Sequence, residues 1–234
     1  MATLLLCCAA PLQSWDTQSR FGVRTSGREP SKSGIVGMLC AALGRPRDEP
    51  IADLTALTMG VRVDREGSIL RDFHTAGKGG YLRAGGAIEQ TNLITSTRYY
   101  LADAAFLVGL EGEKRLLQEL HTALLDPHWM LCLGRKACPP SLPVYLSNGL
   151  SDEELLVALK NYPWLGKLFW QYENLDRVRI VVDDDKGPQV LRDHPLSFEK
   201  GKRDFAPRRI RTYFIDKPPF QGEAQSISQR KEES

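Results

Sequence analysis

The chain has 234 residues, 42% hydrophobic and 26% charged, ordinary values for a globular protein of one insertion-bearing core or two small units. They exclude wholesale disorder, collagen-like repetition and an integral membrane protein. The 31 Lys and Arg against 29 Asp and Glu leave +2, too little for a protein that coats nucleic acid by charge alone.

The 5 cysteines have no framework spacing, which argues against a disulfide scaffold and fits a reducing, cytoplasmic setting. Cys7 and Cys8 are adjacent, and Cys132 and Cys138 have no C-x-x-C partner, so no zinc site is expected. No cofactor is expected either. The apolar opening at 3–10 has no Lys or Arg before it and is shorter than the roughly 18 residues of a span. It reads as a buried central strand, and no membrane association is expected.

A polar loop follows at 13–30. Ser31-Lys32-Ser33-Gly34 opens a helix in which Ile35, Val36, Leu39 and Leu43 recur at helical spacing, and Gly44 with Pro46 ends it. Residues 51–57 suggest a short helix. Residues 59–64 alternate as a strand, with Val61 and Val63 on one face and Arg62 and Asp64 on the other.

Residues 66–102 mix glycines with β-friendly stretches at 69–75 and 93–100. They read as a glycine-tipped β-excursion, because structureless loops of this length are rare in compact domains. An arm of some 15 residues reaches at most about 50 Å. Residues 103–110 return as a strand, and 113–125 form an amphipathic helix stopped by Pro127. Residues 129–133 read as a further strand ending in the turn Gly134-Arg135-Lys136.

The order strand, helix, strand, strand, helix, strand is that of an α+β, ferredoxin-like (RNA-recognition-motif-like) core. A long β-hairpin is inserted at about 66–102. The expected organisation is a core over 1–142, a C-terminal α/β extension over 143–218 packed on it, and a disordered tail over 219–234. In the extension, Ser151 and Glu154 suggest a capping box before Leu155. Alternation at Val178, Ile180 and Val182, and again at Ile210 and Phe214, marks strands.

Charge is unevenly spread. Arg20, Arg24, Arg28, Lys32, Arg45 and Arg47 face only Asp16 and Glu29 in 15–47, and a second basic run occupies 200–211. Each is by itself a candidate solvated loop. The helix start at Ser31 to Gly34 is either a phosphate seat, with Lys32 and Ser33 contributing, or a simple N-cap. It is not a Walker P-loop, whose G-x-x-x-x-G-K-[ST] is absent. Trp15, beside Gln13 and Arg20, either stacks a base or folds onto the core. Arg71, His74, Lys78 and Tyr81 on one arm of the excursion, and Arg98 on the other, suit contact with nucleic acid. His74 with Tyr81 is also the candidate pair for 2′-hydroxyl-driven RNA cleavage. Arg135 and Lys136 sit in a proline-stiffened turn that holds their charges in place.

Five blocks in order resemble a known family. They are Pro11-Leu12-Gln13-Ser14-Trp15; Pro30-Ser31-Lys32-Ser33-Gly34-Ile35-Val36-Gly37; Leu70-Arg71-Asp72-Phe73-His74-Thr75; the stretch from Arg98 to Phe106; and Leu133-Gly134-Arg135-Lys136-Ala137-Cys138-Pro139. Together they resemble the CasD family of type I-E CRISPR-associated Cascade subunits, in the RAMP superfamily. The resemblance implies a ferredoxin-like core whose β-hairpin is a thumb. It implies a noncatalytic RNA-binding subunit that caps the 5′ handle of CRISPR RNA in a surveillance complex for antiviral DNA targeting. The backbone subunit CasC and the large subunit CasA are the implied neighbours, and target DNA is met through the complex. Some relatives cut repeat RNA with a Tyr and a Lys-His pair; no Lys-His or His-Lys dipeptide occurs here. The expected RNA contacts are Gln13, Trp15, Arg20, Arg24, Arg28, Lys32, Ser33, Arg71, His74, Lys78, Tyr81, Arg98, Arg135 and Lys136, with a metal-independent endoribonuclease as the alternative.

Overall fold

The computed structural model describes residues 1–16, 22–83, 85–90, 92–165 and 176–219. The first strand, β1 (Ala2–Ala9), is buried along its whole length. Its side chains alternate between two cores. Leu4, Leu6 and Cys8 join one apolar cluster, while Leu5, Cys7 and Ala9 join another. A strand covered on both faces has no need of polar alternation, which is why this one reads as a continuous apolar run.

Two short strands follow, β2 (Leu12–Gln13) and β3 (Val23–Arg24), and then α1 (Lys32–Leu43), α2 (Ala52–Thr55) and β4 (Thr58–Arg65). The excursion is a ribbon of β5 (Ser68–Ala76) and β8 (Ile94–Ala102), with β6 (Tyr81–Leu82) and β7 (Ile88–Glu89) paired at its tip. β5 and β8 are in antiparallel register from Ser68 opposite Ala102 to Ala76 opposite Ile94. Ile69, Leu70, Phe73, Leu82, Ile88 and Ile94 on this ribbon are exposed. After it come β9 (Ala105–Gly112) and α3 (Lys114–Leu125), the helix that Leu117, Leu120 and Leu124 bury against the sheet.

The chain closes with β10 (Tyr145–Ser151), α4 (Leu155–Asn161), β11 (Arg177–Asp183), β12 (Gln189–Ser197) and β13 (Asp204–Asp216). The main sheet has 7 strands in the order β10-β1-β9-β4-β11-β13-β12, and every pairing in it is antiparallel. α1 and α3 cover one face and α4 covers the other.

Several expectations change. The strand expected at 129–133 is irregular chain. There the backbone N–H groups of His128 and Trp129 donate to Ala42 and Ala41 at the end of α1, and Leu133 donates to Cys138. The other neighbour of β1, beside β9, is β10, which lies C-terminal to position 142. The sheet therefore runs without a break from the first unit into the extension, through the β4–β11 ladder. The capping box is absent. Ser151 ends β10, and Leu155 N–H instead donates 3.2 Å to Glu111 Oε1. The tail from 220 onward lies outside the described residues.

Arg62 and Asp64, expected on a polar strand face, are buried completely. α4 packs over that face, where a Cβ on Gly60 or Gly109 would lie 2.6 Å from Leu159 or Leu155. Arg62 binds Asp64 through two hydrogen bonds of 2.6 and 2.8 Å. It also donates to the carbonyls of Leu159, Tyr162 and Pro163. The pair caps the carbonyl end of α4, supplying the acceptors there with the cation a helix C-terminus favours.

Candidate nucleic-acid interface

The loop after β1 is tied down by buried polar groups. The Gln13 side-chain amide donates to Cys8 O at 3.1 Å and Ala104 O at 2.8 Å, and its Oε1 accepts from the Trp15 indole at 2.9 Å. Every strong hydrogen-bonding atom of that amide is thereby engaged internally. Trp15 is 1% exposed, and its ring lies so close to Gly34 of α1 that a Cβ there would meet it at 2.9 Å. Its carbonyl accepts from Gly27 N–H at 2.6 Å. Gln13 is fully buried, and Trp15 is almost wholly buried beneath a cation-lined groove. Both form the pin beneath the 22–28 loop, because an apolar ring next to a closely packed helix is best buried.

Lys32 is likewise engaged inside the fold. Ser31 Oγ caps α1 by accepting from Gly34 N–H at 3.3 Å. Lys32 N–H donates to Asp193 Oδ2 at 2.8 Å, and Lys32 Nζ to Asp183 Oδ2 at 2.9 Å. Arg208 joins both carboxylates from the other side. Two cations and two carboxylates make a buried, charge-balanced cluster, and an internal carboxylate fills the anion seat at the helix start. Ser33 stays half-buried at the edge of a groove.

Arg135 is the hinge of the arrangement. Its guanidinium donates to Tyr99 O on β8 and to the carbonyls of Arg24 and Thr25 at 3.0–3.1 Å. It also sits 4.9 Å from the centre of the Tyr100 ring. The preceding residue must be glycine. Gly134 has φ 91° and a Cβ there would fall 1.7 Å from Ser14 O. The 22–28 loop, the 134–136 turn and the base of the ribbon thus meet on one side. β3 strengthens the junction by pairing in parallel with β8, Arg24 beside Arg98. Like charges held side by side on a sheet repel unless an anion lies between them.

A groove of about 1630 Å³ opens at this junction. Arg24, Arg45, Arg47, Arg135, Lys136, Arg192 and Arg203 line it against Asp16 and Asp204. Arg45 is committed to Asp53 by two hydrogen bonds of 2.7 and 2.8 Å, and that bond holds the Asp53 carboxyl below the usual carboxylate range. Arg24, Arg47 and Lys136 are exposed and carry no ion pair among the described residues. The buried Cys7 thiol is pushed up to about 12 by desolvation and then by Asp64, which disfavours the reactive thiolate form.

Of the other expected residues, Arg28 is exposed beside this loop, while Arg20 lies outside the described residues. Arg71, His74 and Lys78 are exposed along the ribbon, and Arg98 donates 3.3 Å to Ser96 Oγ near its base. His74 faces Asp72 at 3.6 Å, whereas Tyr81 packs on Gly77. No hydrogen bond joins His74 to Tyr81 among the described residues. Sequence reading missed Arg192, Trp129 and Phe205, which line the groove from distant segments. Arg45, Arg47 and Arg203 were visible as members of the two basic runs. Among the described residues no cluster of His, Cys, Asp and Glu is arranged to hold a metal, and no helix is long and apolar enough to cross a membrane.

These features define an α+β protein with a helix-covered antiparallel sheet, a projecting ribbon and a cation-lined groove at the ribbon's root. A family model described as CRISPR-associated protein (Cas_Cas5) matches residues 3–211. The CRISPR system Cascade subunit CasD of Escherichia coli (strain K12) is 32% identical over 187 residues, covering 74% of this chain and 82% of that protein. A solved structure described as a Cas protein superposes with TM-score 0.75 at 40% identity, covering 93% of this chain and 98% of that one. A chain of a CRISPR RNA-guided surveillance complex superposes with TM-score 0.75 at 32% identity, covering 92% and 91%. The chain belongs to this family of CRISPR-associated proteins and is CasD-like.

Proposed function

We propose that the chain is a noncatalytic, RNA-binding subunit of a Cascade-type CRISPR surveillance complex, and that it caps the 5′ handle of CRISPR RNA. In this reading β10-β1-β9-β4 with α1 and α3 is a ferredoxin-like core, and the β5–β8 ribbon is a thumb. The observation that carries it is the junction at Arg135, which gathers the 22–28 loop, the basic turn and the ribbon base around one groove. The named relatives support the setting: one is a Cascade subunit and another is part of an RNA-guided complex. Arg24, Arg28, Lys136, Arg98 and Arg71 are the phosphate contacts, since phosphates position a strand while base contacts specify it. The exposed apolar ribbon reaches the backbone subunit CasC, with the large subunit CasA close by.

The test is equilibrium binding of the leading end of the CRISPR RNA across a salt series. Five neutralised phosphates give a slope of log affinity against log salt of about −3.5 for a single strand. A slope near zero removes the electrostatic basis of the reading. The same purified protein should leave labelled repeat RNA intact; cleavage that disappears in His74→Ala would replace this reading with the endoribonuclease.

A further inference from the structure

The wall of the groove away from the ribbon is built by segments with no role so far. Trp129 is 46% exposed and lines the groove, yet its surroundings hold it still. Its backbone N–H donates 3.0 Å to Ala41 O, and the neighbouring His128 N–H donates 3.0 Å to Ala42 O. The His128 ring meets the indole edge-to-face at 5.1 Å between centres. A half-exposed indole of this kind is pre-organised, so little ordering is lost when something stacks on it.

The groove's charge selects the partner. In the β12–β13 connection, Arg203 lies with its guanidinium 5.0 Å from the centre of the Phe205 ring, and Arg192 on β12 donates 3.2 Å to Phe205 O. Phe205 therefore orients both arginines, and Arg47 adds an exposed cation at the end of α1. A polyanion with flat apolar faces fits a surface that alternates cations with an open indole. A duplex hides its base faces, so the complementary ligand is a single strand.

We propose that Trp129 stacks an unpaired base of single-stranded RNA lying in this groove, with Arg203, Arg192 and Arg47 on the flanking phosphates. The inference rests on the RNA-binding reading above and extends the bound strand from the ribbon root onto the C-terminal strands.

The experiment uses the full-length protein and labelled single-stranded RNA from the leading end of its CRISPR RNA, plus a series of the same RNA lacking one base at a time. Trp129→Ala should weaken binding of the intact RNA by roughly 5- to 150-fold, the range of one base–aromatic stack. Trp129→Phe should recover most of that loss. Removing the stacked base should weaken the wild-type protein to the same degree and weaken Trp129→Ala no further. Arg203→Glu should make the salt slope shallower. If Trp129→Ala binds like wild type while Arg24→Glu and Lys136→Glu still bind weakly, the stacking inference falls and the RNA reading stands. If its loss is equal across the whole base-deleted series, the indole is a structural element and the inference also falls. If neither charge reversal changes binding, the RNA reading fails and takes the inference with it.

Discussion

The start of α1 and the turn after Leu133 look alike in sequence, each a lysine among small residues at a chain reversal, yet the fold uses them in opposite ways. Lys32 is 6% exposed and bonded to Asp183, and its backbone is capped by Asp193. Lys136 is exposed on the groove. The difference lies in where the chain's own carboxylates fall. A helix start attracts the nearest anion, and β12 brings Asp193 to it from 161 residues away. Among the described residues no carboxylate pairs with Lys136, so its charge remains available.

The largest effect should come from the buried cluster. Asp193→Ala leaves Arg208 and the α1 start without their shared acceptor, and the expected cost is about 3–5 kcal/mol, read by urea unfolding. A stability change within error would mean that the cluster is not the joint between α1 and the C-terminal strands. Lys32→Met sharpens the contrast: stability should change while the salt slope of RNA binding stays that of wild type. A shallower slope would return Lys32 to the RNA contacts.

Gly134→Ala comes next. Its backbone conformation alone should cost about 1–3 kcal/mol, and its Cβ displaces the Ser14 backbone, so RNA affinity should fall together with the melting temperature. Intact affinity with lowered stability would separate the turn from the binding surface. Lys136→Glu is the converse case. It should change stability by less than about 0.5 kcal/mol and make the salt slope shallower by about 0.7 for each phosphate no longer neutralised.

The smallest effect concerns His194. Burial, and then the nearby Lys32, lower its pKa below the ordinary value, with Arg208 acting the same way and Asp183 and Asp193 opposing. Between its folded and unfolded pKa values the unfolded chain binds more protons, so stability rises with pH there and is lost as pH falls below about 6.5. His194→Gln should flatten the stability profile in that window, and a profile identical to wild type would contradict the shift.

Much of the fold was legible because it depends on local pattern. β1, α1, β4 and α3 follow from an unbroken apolar run, helical spacing and alternation. The failures have a common cause in partners distant along the chain. Residues 129–133 form a short apolar run like a buried strand, but the backbone at 128 and 129 bonds to the end of α1. β10, with Ser147, Asn148 and Gly149 in it, carries little strand propensity and is fixed by pairing with β1. Arg62 and Asp64 suggest a solvated face only until α4 covers it. At the site, the basic runs revealed the cations but not which of them were already paired. Trp15 could not be placed until Gly34 was seen beneath it.

The ribbon has a practical consequence. Phe73, Leu82 and Ile88 are each at least 65% exposed, on paired strands that project away from any core. Such a surface is sticky until something covers it. Purified by itself, this protein should self-associate at high concentration, and co-expression with whatever sheathes the ribbon should raise its soluble yield. Shortening the tip between Gly77 and Leu93 should give a better-behaved preparation with its melting temperature intact.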